Sequence, residues 1–286
     1  MLHNQSFMRV ISAVTVLVML PFYLLTYGID LISVSGRCEE ESSNIVGIGA
    51  YFRSQGVTAD DEGNLYFSSK TTLVKTQADA RGFVAANYSA IPDELADNYG
   101  IKHIGGLSYY NGYIYAGLED SKVWDHPIVC VYDAKTLEAV EWFELDDEMH
   151  TRGLPWVCVN PENGLLYAFD HSKNPTAVLV YDTADSMKNV GRVELEESIY
   201  SIQGAEFCNG ILYAATNDDT QAVYAVDVNT GKSEKLFDRN LTSGSEGEGM
   251  TFVEKDGETY LLAMDMGPLF INANVRWYEF EGQGLE

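Results

Sequence analysis

Tyr110-Asn111-Gly112-Tyr113-Ile114-Tyr115 is the stretch that decides the fold. An Asn-Gly pair between alternating aromatic and aliphatic residues is the composition of a two-residue β-hairpin. The phrase recurs. A turn ending in glycine, with tyrosine three residues on, appears at Gly63 and Tyr66, Gly112 and Tyr115, Gly164 and Tyr167, Gly210 and Tyr213, and Gly257 and Tyr260. The glycines lie roughly 50 residues apart, an interval that belongs to repeat architectures.

Within each unit an apolar strand precedes the turn and an aromatic strand follows it. A third strand then runs into a second turn, as in Val131-Tyr132-Asp133-Ala134-Lys135-Thr136, Val180-Tyr181-Asp182-Thr183 and Val226-Asp227-Val228-Asn229-Thr230-Gly231. A fourth strand closes the clearer units, at Ala139 to Leu145 and Val190 to Leu195. Four antiparallel strands per unit, repeated without intervening helices, predict an all-β fold, a five-bladed β-propeller. The last unit ends after its third strand, near Phe280, while the apolar stretch Ile45 to Phe52 has no partner of its own. That stretch is expected to supply the missing outer strand and close the ring, because an open fan would leave unpaired strand edges. Residues 38–54 are too short for a sixth blade.

The composition narrows the partners. The 286 residues carry 43 acidic against 18 basic side chains, a formal net charge of -25, and are 46% hydrophobic. Nucleic acid is excluded as a partner, since a phosphate backbone needs a basic footprint. A disordered acidic chain is excluded by the 18 Tyr, 12 Phe and 4 Trp, which are enough to build a core.

Residues 1–37 are a separate segment. Val10 to Ile29 is free of charged side chains, with Arg9 before it and Asp30 after it. Twenty such residues match the ~30 Å hydrocarbon thickness of a bilayer. The segment reads as a signal-anchor crossing the membrane through residues 10–29, or as a signal peptide cleaved after Ser33-Val34-Ser35. The lone Arg9 ahead of the span and Glu39, Glu40 and Glu41 beyond it place the N-terminus in the cytoplasm and residues 38–286 outside, on a membrane-bound or a secreted protein. Export agrees with two N-glycosylation triplets for a eukaryotic host, at Asn87-Tyr88-Ser89 and Asn240-Leu241-Thr242. The four cysteines (Cys38, Cys130, Cys158 and Cys208) form no C-x-x-C pair, and Cys130 and Cys158 read as buried thiols within apolar runs.

Propellers gather chemistry where the inner strands begin. The strand starts read Gln55, His103, Arg152, Gln203 and Glu248. The exits of the second strands add Ser69, Lys70, Glu119, Asp120, Asp170, His171, Asn217, Asp218 and Asp265 on the same rim. Gln55, His103, Arg152, Gln203, Glu248, Asp120 and His171 are therefore the expected ligand-binding set, converging on one small concave site. Glu248, Asn217, Asp218 and Asp265 are hard oxygen donors of the kind calcium takes, so calcium is the cofactor to expect if a metal is bound. No nucleophile elbow or phosphate-cradling loop is present; catalysis would rest on His103 or His171 as general base with Arg152 stabilising an oxyanion.

Two resemblances attach to these residues. Ser245-Glu246-Gly247-Glu248-Gly249-Met250 resembles the glutamate-glycine strand start of the gluconolactonase and paraoxonase propellers, which implies calcium on the glutamate. Residues 54–280 are similar in layout to the five-bladed glutaminyl cyclotransferases, through Ser54-Gln55-Gly56-Val57, Val131 to Glu138 and Ile202-Gln203-Gly204-Ala205-Glu206-Phe207. Where that family carries its catalytic acid in a Gly-Glu-Gly segment, this chain has His103-Ile104-Gly105-Gly106. The resemblance thus implies the fold without that acid. Three functions follow as expectations: a binding module for a small ligand, divalent cation or protein at the channel mouth; a calcium-dependent lactonase or esterase; or a cyclotransferase-like enzyme. The first fits the residues best, because no catalytic constellation is assembled in the sequence.

Overall fold

The computed structural model describes residues 41–120, 124–169 and 175–280. The apolar stretch 10–29, Cys38 and His171 lie outside the described residues, within which no helix is long and apolar enough to cross a membrane. The described residues open on β1 (Glu41–Val46) and a single helical turn, α1 (Ile48–Tyr51). Blade 1 comprises β2 (Val57–Ala59), β3 (Leu65–Ser68), β4 (Leu73–Thr76) and β5 (Ala85–Asn87), and a short helix, α2 (Asp93–Asn98), leads onward. Blade 2 is β6 (His103–Tyr110), β7 (Tyr113–Glu119), β8 (Ile128–Asp133) and β9 (Ala139–Glu144). Blade 3 is β10 (Cys158–Val159), β11 (Leu165–Ala168), β12 (Ala177–Asp182) and β13 (Lys188–Glu194). Blade 4 is β14 (Ile202–Cys208), β15 (Ile211–Thr216), β16 (Val223–Val226) and β17 (Ser233–Phe237). Blade 5 is β18 (Glu246–Lys255), β19 (Glu258–Met266) and β20 (Asn272–Glu279), completed by β1. The molecule is a five-bladed β-propeller.

Each repeated phrase is the hairpin between a blade's first and second strands. In the hairpin of blade 2, Asn111 and Gly112 both have positive φ, 49° and 84°, as a type I′ turn requires. The turn matches the right-handed twist of the strands it joins, so a local pair of residues sets the register of a whole blade.

The ring closes through its first strand. β1 pairs antiparallel with β20 from Glu41 opposite Trp277 to Val46 opposite Asn272. The expected closing strand, Ile45 to Phe52, is thus displaced toward the N-terminus. Gly47 turns the chain with φ 77° and ψ −139°, a conformation that side chains resist, and donates its N–H to Ile271 O at 3.0 Å. The residues after it wind into α1 and carry Phe52 into the core. There Phe52, Val57, Phe67 and Val74 pack with Val253, Leu262, Val275 and Trp277, joining blades 5 and 1 in one apolar cluster. The five inner strands pack around a narrow channel that positions the candidate site.

Candidate functional site

The inner strands come closest at one level of the channel. A Cβ added to Gly56 would lie 2.9 Å from Gly106 Cα, one on Gly106 would lie 2.7 Å from Trp156 Cβ, and one on Gly204 would lie 2.7 Å from Gly249 Cα. Backbone bonds stitch the level together, with Gly249 N–H donating to Gln55 O at 3.0 Å and Gly106 N–H to Pro155 O at 2.8 Å. Glycine is required because the backbones are the wall. Immediately before this level stand Gln55, Gly105, Pro155, Gln203 and Glu248, which face a cavity of about 200 Å³ together with His103, Gly106, Glu119 and Trp124.

This register corrects the expected rim. Gln55, Gln203 and Glu248 occupy the predicted positions, but the equivalents in blades 2 and 3 are Gly105 and Pro155. His103 begins its strand before a register shift between Ile104 and Leu107, so its side chain reaches the cavity from one step further out. Arg152 does not line the cavity. It is exposed, with its guanidinium 4.7 Å from the centre of the Trp124 ring. The space left by Gly105 and Pro155 is where His103, Glu119 and Trp124 enter. The spacing of Gly56, Gly106, Gly204 and Gly249 carried this register in the sequence; Trp124, on the loop after β7, had no signal there.

One wall is a chain of polar contacts. Gln55 Nε2 donates to Ser54 O at 2.6 Å, which turns its Oε1 toward His103 Nε2, also at 2.6 Å. His103 Nε2 therefore carries the hydrogen. The other ring nitrogen, Nδ1, lies 3.4 Å from Glu119 Oε2 without hydrogen-bond geometry, and Glu119 Oε1 has no partner. Glu119 is 9% exposed. The neighbouring Asp120 is a loop organiser, accepting the N–H groups of Trp124 at 2.7 Å and Asp125 at 3.0 Å.

Next to Gln55 around the channel stands Glu248, 3% exposed, to which none of the described residues donates a hydrogen bond. Burial pushes its carboxyl well above the usual range; Glu246 adds to this, Arg239 opposes it, and Asp265 pushes further up. Arg239 does not pair with it. Its guanidinium donates to Gln221 O at 2.7 Å, Met264 O at 3.0 Å and Thr216 O at 3.2 Å. The carboxyl faces the cavity, where an entering donor would supply the hydrogen bond that the described residues do not.

The expected calcium set is dispersed. Asp265 is fully buried, held by Arg276 Nε at 2.6 Å and by Asn274 Nδ2 at 2.7 Å. Asp218 accepts from Thr220 N at 3.0 Å, Ala222 N at 3.1 Å and the Tyr224 hydroxyl at 3.1 Å, and so shapes its own turn. Asn217 Oδ1 takes Gly247 N–H at 3.0 Å. Among the described residues no three His, Cys, Asp or Glu side chains gather as metal ligands. The glycosylation triplets differ in access: Asn87 Nδ2 donates to Leu137 O at 2.8 Å, whereas Asn240 is exposed. Cys130 and Cys158 are free and buried, as expected.

Deeper in the channel lies a second polar tier. Thr58 Oγ1 donates to Glu206 Oε2 at 3.2 Å and accepts Tyr109 N–H at 2.9 Å. Cys158 Sγ donates to Glu206 Oε1 at 3.5 Å, and Val159 N–H donates to Ser108 Oγ at 3.0 Å. Glu206 keeps some contact with channel solvent, yet protein crowds its carboxyl, and burial raises its pKa to about 7 against the opposing bonds from Cys158, Thr58 and Phe207 N–H.

No family model matches the chain, and no curated protein matches its sequence. Solved structures do resemble it. The major allergen Mala s 1 of Malassezia sympodialis superposes with a TM-score of 0.51 at 13% identity, over 81% of this chain and 79% of the allergen. Streptogramin B lyase gives a TM-score of 0.44 at 11% identity, over 84% of this chain and 73% of the lyase. Hydrazine synthase of Kuenenia stuttgartiensis gives 0.44 at 14% identity over 75% of this chain, which spans 56% of the synthase chain. At these identities the likeness concerns the fold alone.

Proposed function

We propose that this propeller is a binding module for a small molecule, seated in the cavity at the channel mouth between Glu248 and Gln203 on one side and the Gln55–His103–Glu119 wall on the other. The observation that carries the reading is Glu248: a carboxyl 3% exposed, facing the cavity, with no donor among the described residues. A ligand that donates to it supplies the hydrogen bond that the described residues do not, which is how a pre-formed site gains affinity from few contacts. Exposure of this domain outside the membrane, with residues 10–29 as anchor or removed signal, belongs to the same proposal and is supported by the uncharged stretch, with Arg9 ahead of it and Glu39, Glu40 and Glu41 beyond it.

The test is saturation-transfer NMR on the full chain with a mixture of small amines, amides and acids. Binders that compete for one site, and whose signal falls at least tenfold in the Glu248→Gln, Gln203→Ala double variant, are expected. An undiminished signal in that variant would move binding elsewhere and overturn the reading.

A further inference from the structure

We infer that the occupant of the cavity is a small organic ammonium ion on a short apolar body, its charged nitrogen held by Glu248. The inference rests on the small-ligand reading above and adds the charge class to it.

The lining decides the sign. Glu119 and Glu248 are its ionisable acids, His103 is its one basic group, and it contains no Lys or Arg among the described residues. The two cations nearby are committed elsewhere: Arg239 to three backbone carbonyls, and Arg152 to the Trp124 ring. An anionic ligand would meet two carboxyl groups with no guanidinium or ammonium to offset them, in a chain whose formal net charge is -25. Burial favours the neutral acid of Glu248 in the empty cavity, and an approaching cation favours its ionised form; the charged hydrogen bond that results is roughly twice as strong as one from a neutral donor.

Valence separates an ammonium from a metal. Calcium takes six to eight oxygens, and Asp218 and Asp265, which would help supply them, are already bonded within their own blades. A primary ammonium has three N–H donors, which one carboxylate and the neighbouring Gln203 amide oxygen go far to satisfy. Trp124, Pro155, Gly105 and Gly106 supply apolar surface for the rest of the molecule. A cavity of about 200 Å³ limits the body to a short chain or a single ring.

The experiment compares butylammonium, butyramide and butyrate, which match in length and differ in charge, by titration NMR on the full chain near neutral pH. Butylammonium is expected to bind and the other two to bind at least tenfold more weakly. Glu248→Gln should weaken butylammonium about tenfold or more, the loss of a charged hydrogen bond, while Gln203→Glu, which adds a carboxylate to the wall, should tighten it. A thermal melt of each variant verifies folding, and the Gln203→Glu arm remains informative if Glu248→Gln does not fold. Tighter binding of butyramide or butyrate would overturn the ammonium assignment while leaving the small-ligand reading intact. Failure of all three, with other fragments bound competitively, would do the same. Failure of every probe would overturn both. Calcium chloride that displaces butylammonium, reversibly on chelation and only when Glu248 is present, would replace the ammonium with a metal.

Discussion

Glu206 touches three blades at once: its own, blade 1 through the Thr58 hydroxyl at 3.2 Å, and blade 3 through the Cys158 thiol at 3.5 Å. Burial raises its pKa from 4.5 to about 7, so the folded chain favours the protonated acid. The sign of the linkage follows. The contribution to stability is complete below pH 4.5, the unfolded value, and is lost as pH rises through about 7. From that shift the loss is at most about 3 kcal/mol, less where channel solvent screens the charge. Glu206→Gln is expected to flatten the fall in unfolding free energy between pH 4.5 and 8, as measured by urea titration. A variant that falls as steeply as the parent would mean that Glu206 titrates normally. In the sequence, Cys158 reads as buried from its apolar neighbours and Glu206 falls in the resemblance segment Ile202 to Phe207, but nothing there joins the two. The partners of Glu206 come from strands about 50 and 150 residues away, and one sequence carries no record of such pairings.

The elements show where local information ends. Hairpins such as Asn111-Gly112 were legible because a type I′ turn depends on adjacent residues alone. The inner-strand register was half legible. Gln55, Gln203 and Glu248 stand at the expected rim positions, whereas Gly105 and Pro155 hold those expected of His103 and Arg152; in blade 2 a bulge shifts phase without changing composition, and in blade 3 the inner strand pairs only over Cys158 and Val159, beyond Arg152. The same limit displaced the closing strand, whose end is set by Gly47 rather than by the hydrophobic run that continues to Phe52. Deleting Glu41–Val46 strips β20 of its outer partner and removes Ile45 from the cluster that holds Val275 and Trp277. The melting temperature is expected to fall on the order of 10 °C, as a loss of a few kcal/mol implies for a domain of this size. A truncated chain that melts cooperatively at the parent temperature would show that β1 does not close the ring.

At the scale of the whole molecule, five sheets share one channel, and β1 and β20, the first and last strands among the described residues, meet in blade 5. Under the proposed topology, the full-length protein stays with membranes through alkaline carbonate extraction. Recovery of a soluble form beginning near Gly36 would show instead that residues 1–35 are a removed signal. The seam has a mechanical consequence. Because β1 begins at Glu41 opposite Trp277, and β20 ends at Glu279, the chain enters and leaves the ring at the same end of one ladder. Tension between an N-terminal tether and the C-terminus would load those hydrogen bonds one after another, as a zip is pulled, and not all together in shear. Blade 5 is therefore the part of the ring that yields first to a pull on its ends, while the other four blades stay out of the line of force.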